Sequence, residues 1–154
     1  MVLDEIELGG YREGDILEIL SIERESFPTP WSEAIFRNEL ASPLSSILIA
    51  RTKQGQATCV AGYTVYWRVV DETHVHNIAV RKDLQRRGIA SSLLMEVIER
   101  TRREGARWAT LDVREGNLPA RMLYQKMGFS VKGVRPGYYT DTRENAVIMW
   151  MELP

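Results

Sequence analysis

Six residues, Gln85-Arg86-Arg87-Gly88-Ile89-Ala90, bring two guanidinium groups, a glycine and a small residue to the point where a strand pattern runs into a helix pattern. Exposed amide N–H groups and the positive end of a helix hold phosphate at such a turn. Gly88 lets the backbone approach a ligand with no Cβ in the way, and Ser91-Ser92 keep the helix start low in bulk and rich in donors. The spacing is not that of a Walker loop, so a nucleoside triphosphate is not the expected ligand. Other reactive types are sparse. Cys59, the lone cysteine, has apolar flanks and reads as a buried strand thiol rather than a nucleophile. His74 and His76 have a spacing that could bind metal, but no third ligand stands at a sensible distance in sequence, and no metal is expected.

The elements that must position this turn follow from periodicity. An N-terminal strand precedes Tyr11–Phe27, where Ile16, Ile19, Leu20, Ile22 and Phe27 recur at helical spacing. Pro28 and Pro30 break that helix, and Ser32 can cap a second one running through Leu40. Ser46–Thr52 and Ala57–Val70 read as strands joined by Lys53-Gln54-Gly55-Gln56, and Glu72–Val80 as a third. Ala90–Glu104 is a helix ending at Gly105, and Trp108–Val113 a strand. Asn117 opens a helix over Leu118–Met127 that Gly128 closes. Strands Val131–Arg135 and Ala146–Leu153 follow, separated by the polar stretch Gly137–Asn145. The order strand, two helices, three strands, helix, strand, helix, two strands predicts an α/β fold with helices crossing between neighbouring strands.

The chain has 154 residues, 44% of them hydrophobic, enough for one core and a single domain over residues 1–154. A net charge of −1 argues against direct binding of nucleic acid. Between Arg81 and Arg107, Arg81, Lys82, Arg86, Arg87, Arg100, Arg102, Arg103 and Arg107 outnumber Asp83, Glu96, Glu99 and Glu104, which suits a local anion site rather than a polyanion-binding face. The first residues, Met-Val-Leu-Asp-Glu-Ile-Glu, lack the basic start and apolar run of a targeting segment. No stretch approaches the ~18 uncharged residues of a membrane span. A soluble cytoplasmic protein without membrane contact is expected. Oligomeric state is not readable.

Arg/Gln-x-x-Gly-x-Gly/Ala after a strand ending Asn77-Ile78-Ala79-Val80 resembles the coenzyme A pyrophosphate motif of the GNAT superfamily of acetyltransferases. The resemblance continues through Leu111-Asp112-Val113-Arg114-Glu115-Gly116-Asn117, Ala120, Leu123-Tyr124 and Gly128-Phe129. Within the superfamily, Phe27-Pro28-Thr29-Pro30-Trp31-Ser32 and Arg135-Pro136-Gly137-Tyr138-Tyr139 are similar to the bacterial ribosomal-protein-alanine N-acetyltransferases. The resemblance implies the GNAT fold, a mixed and mostly antiparallel central sheet of about seven strands with about four helices. It implies acetyl-CoA as co-substrate, and as partner the N-terminus of a small-subunit ribosomal protein or another peptide. Backbone groups of Ile78, Ala79 and Val80 would pair with the pantetheine arm. Arg86, Arg87, Gly88, Ile89, Ala90 and Ser91 would hold the pyrophosphate, and Asn117 would also bind the coenzyme.

Direct transfer needs a neutral amine, a polarised thioester and a proton for the departing thiolate. An α-amine with a pKa of ~7.7–8.0 gives up its proton near neutrality for about 1 kcal/mol, whereas a lysine near ~10.4 costs several, so a weak base suits an N-terminal acceptor. By resemblance Tyr124 is the general acid. The alanine-specific group carries glutamate where this chain has Asp112, one methylene shorter. Strand alternation puts His74, His76, Ile78 and Val80 on one face. His74, where relatives place residues with basic roles, is therefore paired with Asp112 through a water, against the alternative of a strand histidine with a backbone partner. His76 reads as packing. Tyr138, Tyr139 and Trp31 are candidates for walling the acceptor groove, Trp31 equally for plugging the core. Two other readings stay open: a GNAT enzyme for a lysine or small amine, and a coenzyme A sensor without catalysis.

Overall fold

In the computed structural model, which describes residues 5–154, the strands are β1 (Glu7–Gly10), β2 (Ser45–Gln54), β3 (Ala57–Val69), β4 (Glu72–Val80), β5 (Trp108–Arg114), β6 (Ser130–Arg135) and β7 (Ala146–Glu152). The helices are α1 (Ile16–Ser26), α2 (Glu33–Ala41), α3 (Ile89–Arg103) and α4 (Leu118–Met127), with one-turn 3-10 helices at Glu13–Asp15 and Lys82–Leu84. The strands form one mixed sheet in the order β1-β2-β3-β4-β5-β7-β6, as the α/β pattern and the resemblance predict. Met1 to Asp4, which enter the reading of the chain's first residues, lie outside the described ones. No helix among the described residues is long and apolar enough to cross a membrane.

The chain forms two compact units. The first takes in the described residues up to Tyr66 together with Asn77–Val97. Helix α1 begins at Ile16 rather than Tyr11 because Glu13–Asp15 form the tighter 3-10 turn. The Asp15 carboxylate is taken up there, accepting from the Arg12 amide at 2.7 Å and pairing with buried Arg51. At its other end Phe27 turns to extended backbone (φ −130°, ψ 142°), as a residue before proline must. Ser32 accepts from the Ile35 amide and starts α2. Ile16, Ile19, Leu20 and Ile22 of α1 and Phe36 of α2 bury against Ile47, Ile49, Val60, Tyr63, Val65 and Ala79. Leu93 and Val97 of α3, with Ile89 and Leu84, bury against Leu48, Ala50, Ala61 and Tyr66, and Ile78 and Val80 pack on this second cluster. The alternation read along β4 thus holds in this unit: Ala79 serves one cluster, Ile78 and Val80 the other.

The second unit comprises Trp67–His76 and Ile98–Pro154. Here β4 pairs with β5 in parallel, Glu72↔Trp108 through Val75↔Leu111, and β7 pairs antiparallel with both β5 and β6. Pro119 sits in the first turn of α4, where a missing N–H costs nothing. Gly128 ends α4 at φ +115°, a left-handed value that favours glycine, and a Cβ there would also come within 3.0 Å of the Met151 sulfur.

Candidate active site

The first unit carries the phosphate turn. The end of β4 is seated tightly on β3. A Cβ on Gly62 would lie 2.8 Å from the Ala79 carbonyl oxygen, and the Arg81 amide donates to the Ala61 oxygen at 2.7 Å. Arg81 closes on Asp83 through two hydrogen bonds of 2.7 and 3.0 Å, and Leu84 is buried beneath. The chain then enters an exposed stretch, Gln85 to Gly88, where both Arg86 (φ +63°) and Gly88 (φ +80°) are left-handed. For a non-glycine residue that conformation is uncommon. The Ser92 amide donates to the Gly88 oxygen at 3.0 Å, so the amides of Ile89, Ala90 and Ser91 ahead of it have no partner inside α3. An exposed arginine, left-handed backbone and three such amides at a helix N-terminus suit a pyrophosphate.

The expected acid and base groups lie in the second unit. Tyr124 is buried and packs edge-on against Phe129 with 6.1 Å between centroids. Its hydroxyl makes no hydrogen bond among the described residues. Burial, and secondarily Tyr139, push its pKa up to about 12, so it stays a proton donor across neutral pH. Tyr139 is likewise pushed up to about 12, by burial first and then by the charge of Asp112. Asp112 is exposed and accepts no hydrogen bond among the described residues. Tyr139 thus bears on Tyr124, and Asp112 on Tyr139.

His74 is placed differently. It stands in register with Thr110, two residues before Asp112 on β5, but its Nε2 lies 3.1 Å from Glu72 Oε2 and its ring stacks on His76 at 6.1 Å. His76 in turn packs on Trp67 at 4.4 Å. Asn117 accepts from the Ala120 amide at 3.3 Å, capping α4.

The loop between β6 and β7 is tied down by polar contacts. Arg114 holds Asp141 with two hydrogen bonds of 2.9 and 2.8 Å and sits 4.1 Å over the Tyr139 ring. Asn145 joins Glu115 at 2.7 Å and accepts from the Gly137 amide at 2.9 Å. Glu144 accepts from the Gly116 amide at 3.1 Å. Tyr138, 49% exposed, meets Tyr139 edge-on at 5.2 Å. In the first unit Trp31 is half-buried and packs on Phe36 at 5.3 Å. Cys59 is half-buried rather than buried, with Arg81 donating to its sulfur at 3.2 Å.

One group went unread in the sequence. Glu23, 1% exposed, accepts from the Tyr63 hydroxyl at 2.5 Å, the Asn77 side-chain amide at 2.8 Å and the Trp31 backbone amide at 2.9 Å. Two signals could have found it. Glu23 falls within the apolar stripe of α1, and Asn77 falls on an inward face of β4, where a polar side chain needs partners.

Residues 16–129 match the Acetyltransferase (GNAT) family; the chain belongs to that family and is an acyltransferase. It is 33% identical, over 88% of its length and 89% of the relative's, to the [ribosomal protein bS18]-alanine N-acetyltransferase of Escherichia coli K12. The crystal structure of the Escherichia coli ribosomal-protein-S18-alanine N-acetyltransferase superposes with a TM-score of 0.85 at 30% identity, covering 97% of this chain and 94% of that one. Arabidopsis thaliana NAA60, solved in complex with acetyl-CoA, shares the fold (TM-score 0.84, 20% identity, 97% and 99% covered).

Proposed function

We propose that this enzyme transfers the acetyl group of acetyl-CoA to the N-terminal alanine of a small-subunit ribosomal protein in the cytoplasm, as one domain over residues 1–154. The observation that carries the chemistry is Tyr124, a buried phenol held protonated and without a hydrogen-bond partner among the described residues. The acceptor class rests on likeness to the Escherichia coli enzyme.

In this reading Ile78, Ala79 and Val80 offer backbone groups to the pantetheine arm. Arg86, Arg87, Gly88, Ile89, Ala90 and Ser91 cradle the pyrophosphate, and Asn117 adds a contact. The coenzyme supplies the acetyl thioester. Tyr124 gives its phenolic proton to the leaving sulfur. Asp112, with His74 through a water, takes the proton from the acceptor ammonium. Little basicity is required, because an α-ammonium is only about 1 kcal/mol from deprotonation near neutrality. Tyr138, Tyr139 and Trp31 wall the acceptor peptide.

Thiol release from acetyl-CoA tests the proposal with three acceptors: a peptide beginning in alanine, a peptide with a blocked N-terminus and an internal lysine, and a polyamine. The alanine peptide is expected to turn over fastest; faster turnover of either other acceptor overturns the reading.

A further inference from the structure

Glu23 is a buried carboxylate with no cationic partner among the described residues, and all three groups that meet it are donors. The division of labour between its oxygens is unequal. Oε1 serves the sheet, through Tyr63 of β3 and Asn77 of β4. Oε2 serves the segment after α1, through the backbone amide of Trp31. Asn77 immediately precedes Ile78–Val80, while Trp31 ends the proline-interrupted stretch ahead of α2. Burying an acid at 1% exposure is costly unless its lone pairs are used.

We propose that Glu23 is a positioning residue that sets the Trp31 segment against the end of β4 with a single carboxylate, one oxygen to each. The functional side of this inference rests on the proposed assignment of Ile78–Val80 to the coenzyme and of Trp31 to the acceptor. Glu23 touches neither. It acts through the Trp31 backbone on the acceptor side and through Asn77 on the coenzyme side.

Substitutions at Glu23 and Asn77 separate the two. A glutamine of the same shape has one acceptor oxygen and one donor NH2, and of the three neighbours only the Trp31 N–H cannot accept: the Tyr63 hydroxyl can, and so can the Asn77 carboxamide once flipped. Turning its oxygen toward Trp31 leaves no donor facing a donor; turning it toward Tyr63 and Asn77 sets NH2 against the Trp31 N–H. The first arrangement wins, so glutamine keeps the Trp31 segment held, whereas Glu23→Ala releases it. Asn77→Leu cuts the tie to β4 alone.

The experiment measures KM for an alanine-initiated peptide and Kd for acetyl-CoA in Glu23→Ala, Glu23→Gln and Asn77→Leu, and amide hydrogen exchange at Trp31 in the unaltered protein. Glu23→Ala is expected to raise the peptide KM about tenfold, as loss of one buried hydrogen bond implies, while Glu23→Gln leaves it within about twofold. Asn77→Leu is expected to raise the acetyl-CoA Kd more than the peptide KM. The Trp31 amide is expected to be protected from exchange well beyond an open-loop rate. A peptide KM that Glu23→Ala leaves unchanged, or that Glu23→Gln raises as much as Glu23→Ala does, would overturn the proposal, as would a Trp31 amide that exchanges as fast as an open loop. The exchange measurement needs no acceptor. If the unaltered enzyme ignores alanine peptides while Trp31 is protected, the acceptor assignment fails and the carboxylate tie stands.

Discussion

Tyr124 holds its hydroxyl in a buried site without a hydrogen-bond partner among the described residues, so replacing it by phenylalanine removes a proton donor and little else. Tyr124→Phe is expected to lower kcat about a hundredfold or more, the range of general acid catalysis, while the acetyl-CoA Kd and the melting temperature hardly move. A loss of kcat smaller than fivefold would remove Tyr124 from the acid role. Asp112 and His74 are tested side by side, since the proposed partnership runs through a water and His74 already meets Glu72. His74→Gln and Asp112→Asn should each lower kcat for the alanine peptide; an unaltered kcat in both would end the dyad. Asp112→Asn has a second consequence, readable without substrate. The Asp112 charge raises the Tyr139 pKa, so removing it lets that phenol ionise at lower pH, seen as an earlier phenolate absorbance in an ultraviolet titration against Tyr139→Phe.

Gly62 shows how an element's placement depends on one missing atom. A Cβ at Gly62 would meet the Ala79 oxygen at 2.8 Å and Val80 at 3.3 Å. Gly62→Ala must push β3 and the end of β4 apart, at about 1–3 kcal/mol. Calorimetry should show a lower melting temperature, and titration a weaker acetyl-CoA complex, because the displaced residues are Ile78–Val80's own strand. Most elements were legible from sequence for local reasons. Ser32 and Asn117 cap the helices they were expected to cap, and Gly128 ends α4 as read. The start of α1 was not legible, because Asp15 gives its carboxylate to Arg51, 36 residues away. For the same reason the Glu23 cluster and the grip of Arg114 on Asp141 escaped notice: each depends on partners that only the folded sheet brings together. The phosphate turn was read from residues that are neighbours in the chain, whereas the surroundings of Tyr124 had to be seen.

At the scale of the whole molecule, buried phenols tie stability to alkaline pH. Burial raises Tyr63, assisted by Glu23, and pushes Tyr124 up to about 12. Both are neutral in the folded and unfolded chain below pH ~10. Above it the unfolded chain ionises at the ordinary tyrosine value and the folded chain does not, so the unfolded state binds fewer protons and stability falls as pH rises. Each of these tyrosines should cost about 1.4 kcal/mol at pH 11. Denaturant titrations at pH 8 and pH 11 check this: the loss should be smaller in Tyr124→Phe than in the unaltered protein, and an equal loss refutes the attribution.

The stapled loop between β6 and β7 carries a consequence for how acceptor preference can change. Its tethers reach Arg114, Glu115 and Gly116, the residues that lead into α4. Transplanting residues 136–145 from a relative would therefore leave acids and amides without their partners unless 114–117 travelled with them. On the proposed assignment of Tyr138 and Tyr139 to the acceptor, the heritable unit of selectivity is a pair of segments separated by residues 118–135, and a recombination that divides them yields a loop without its anchor.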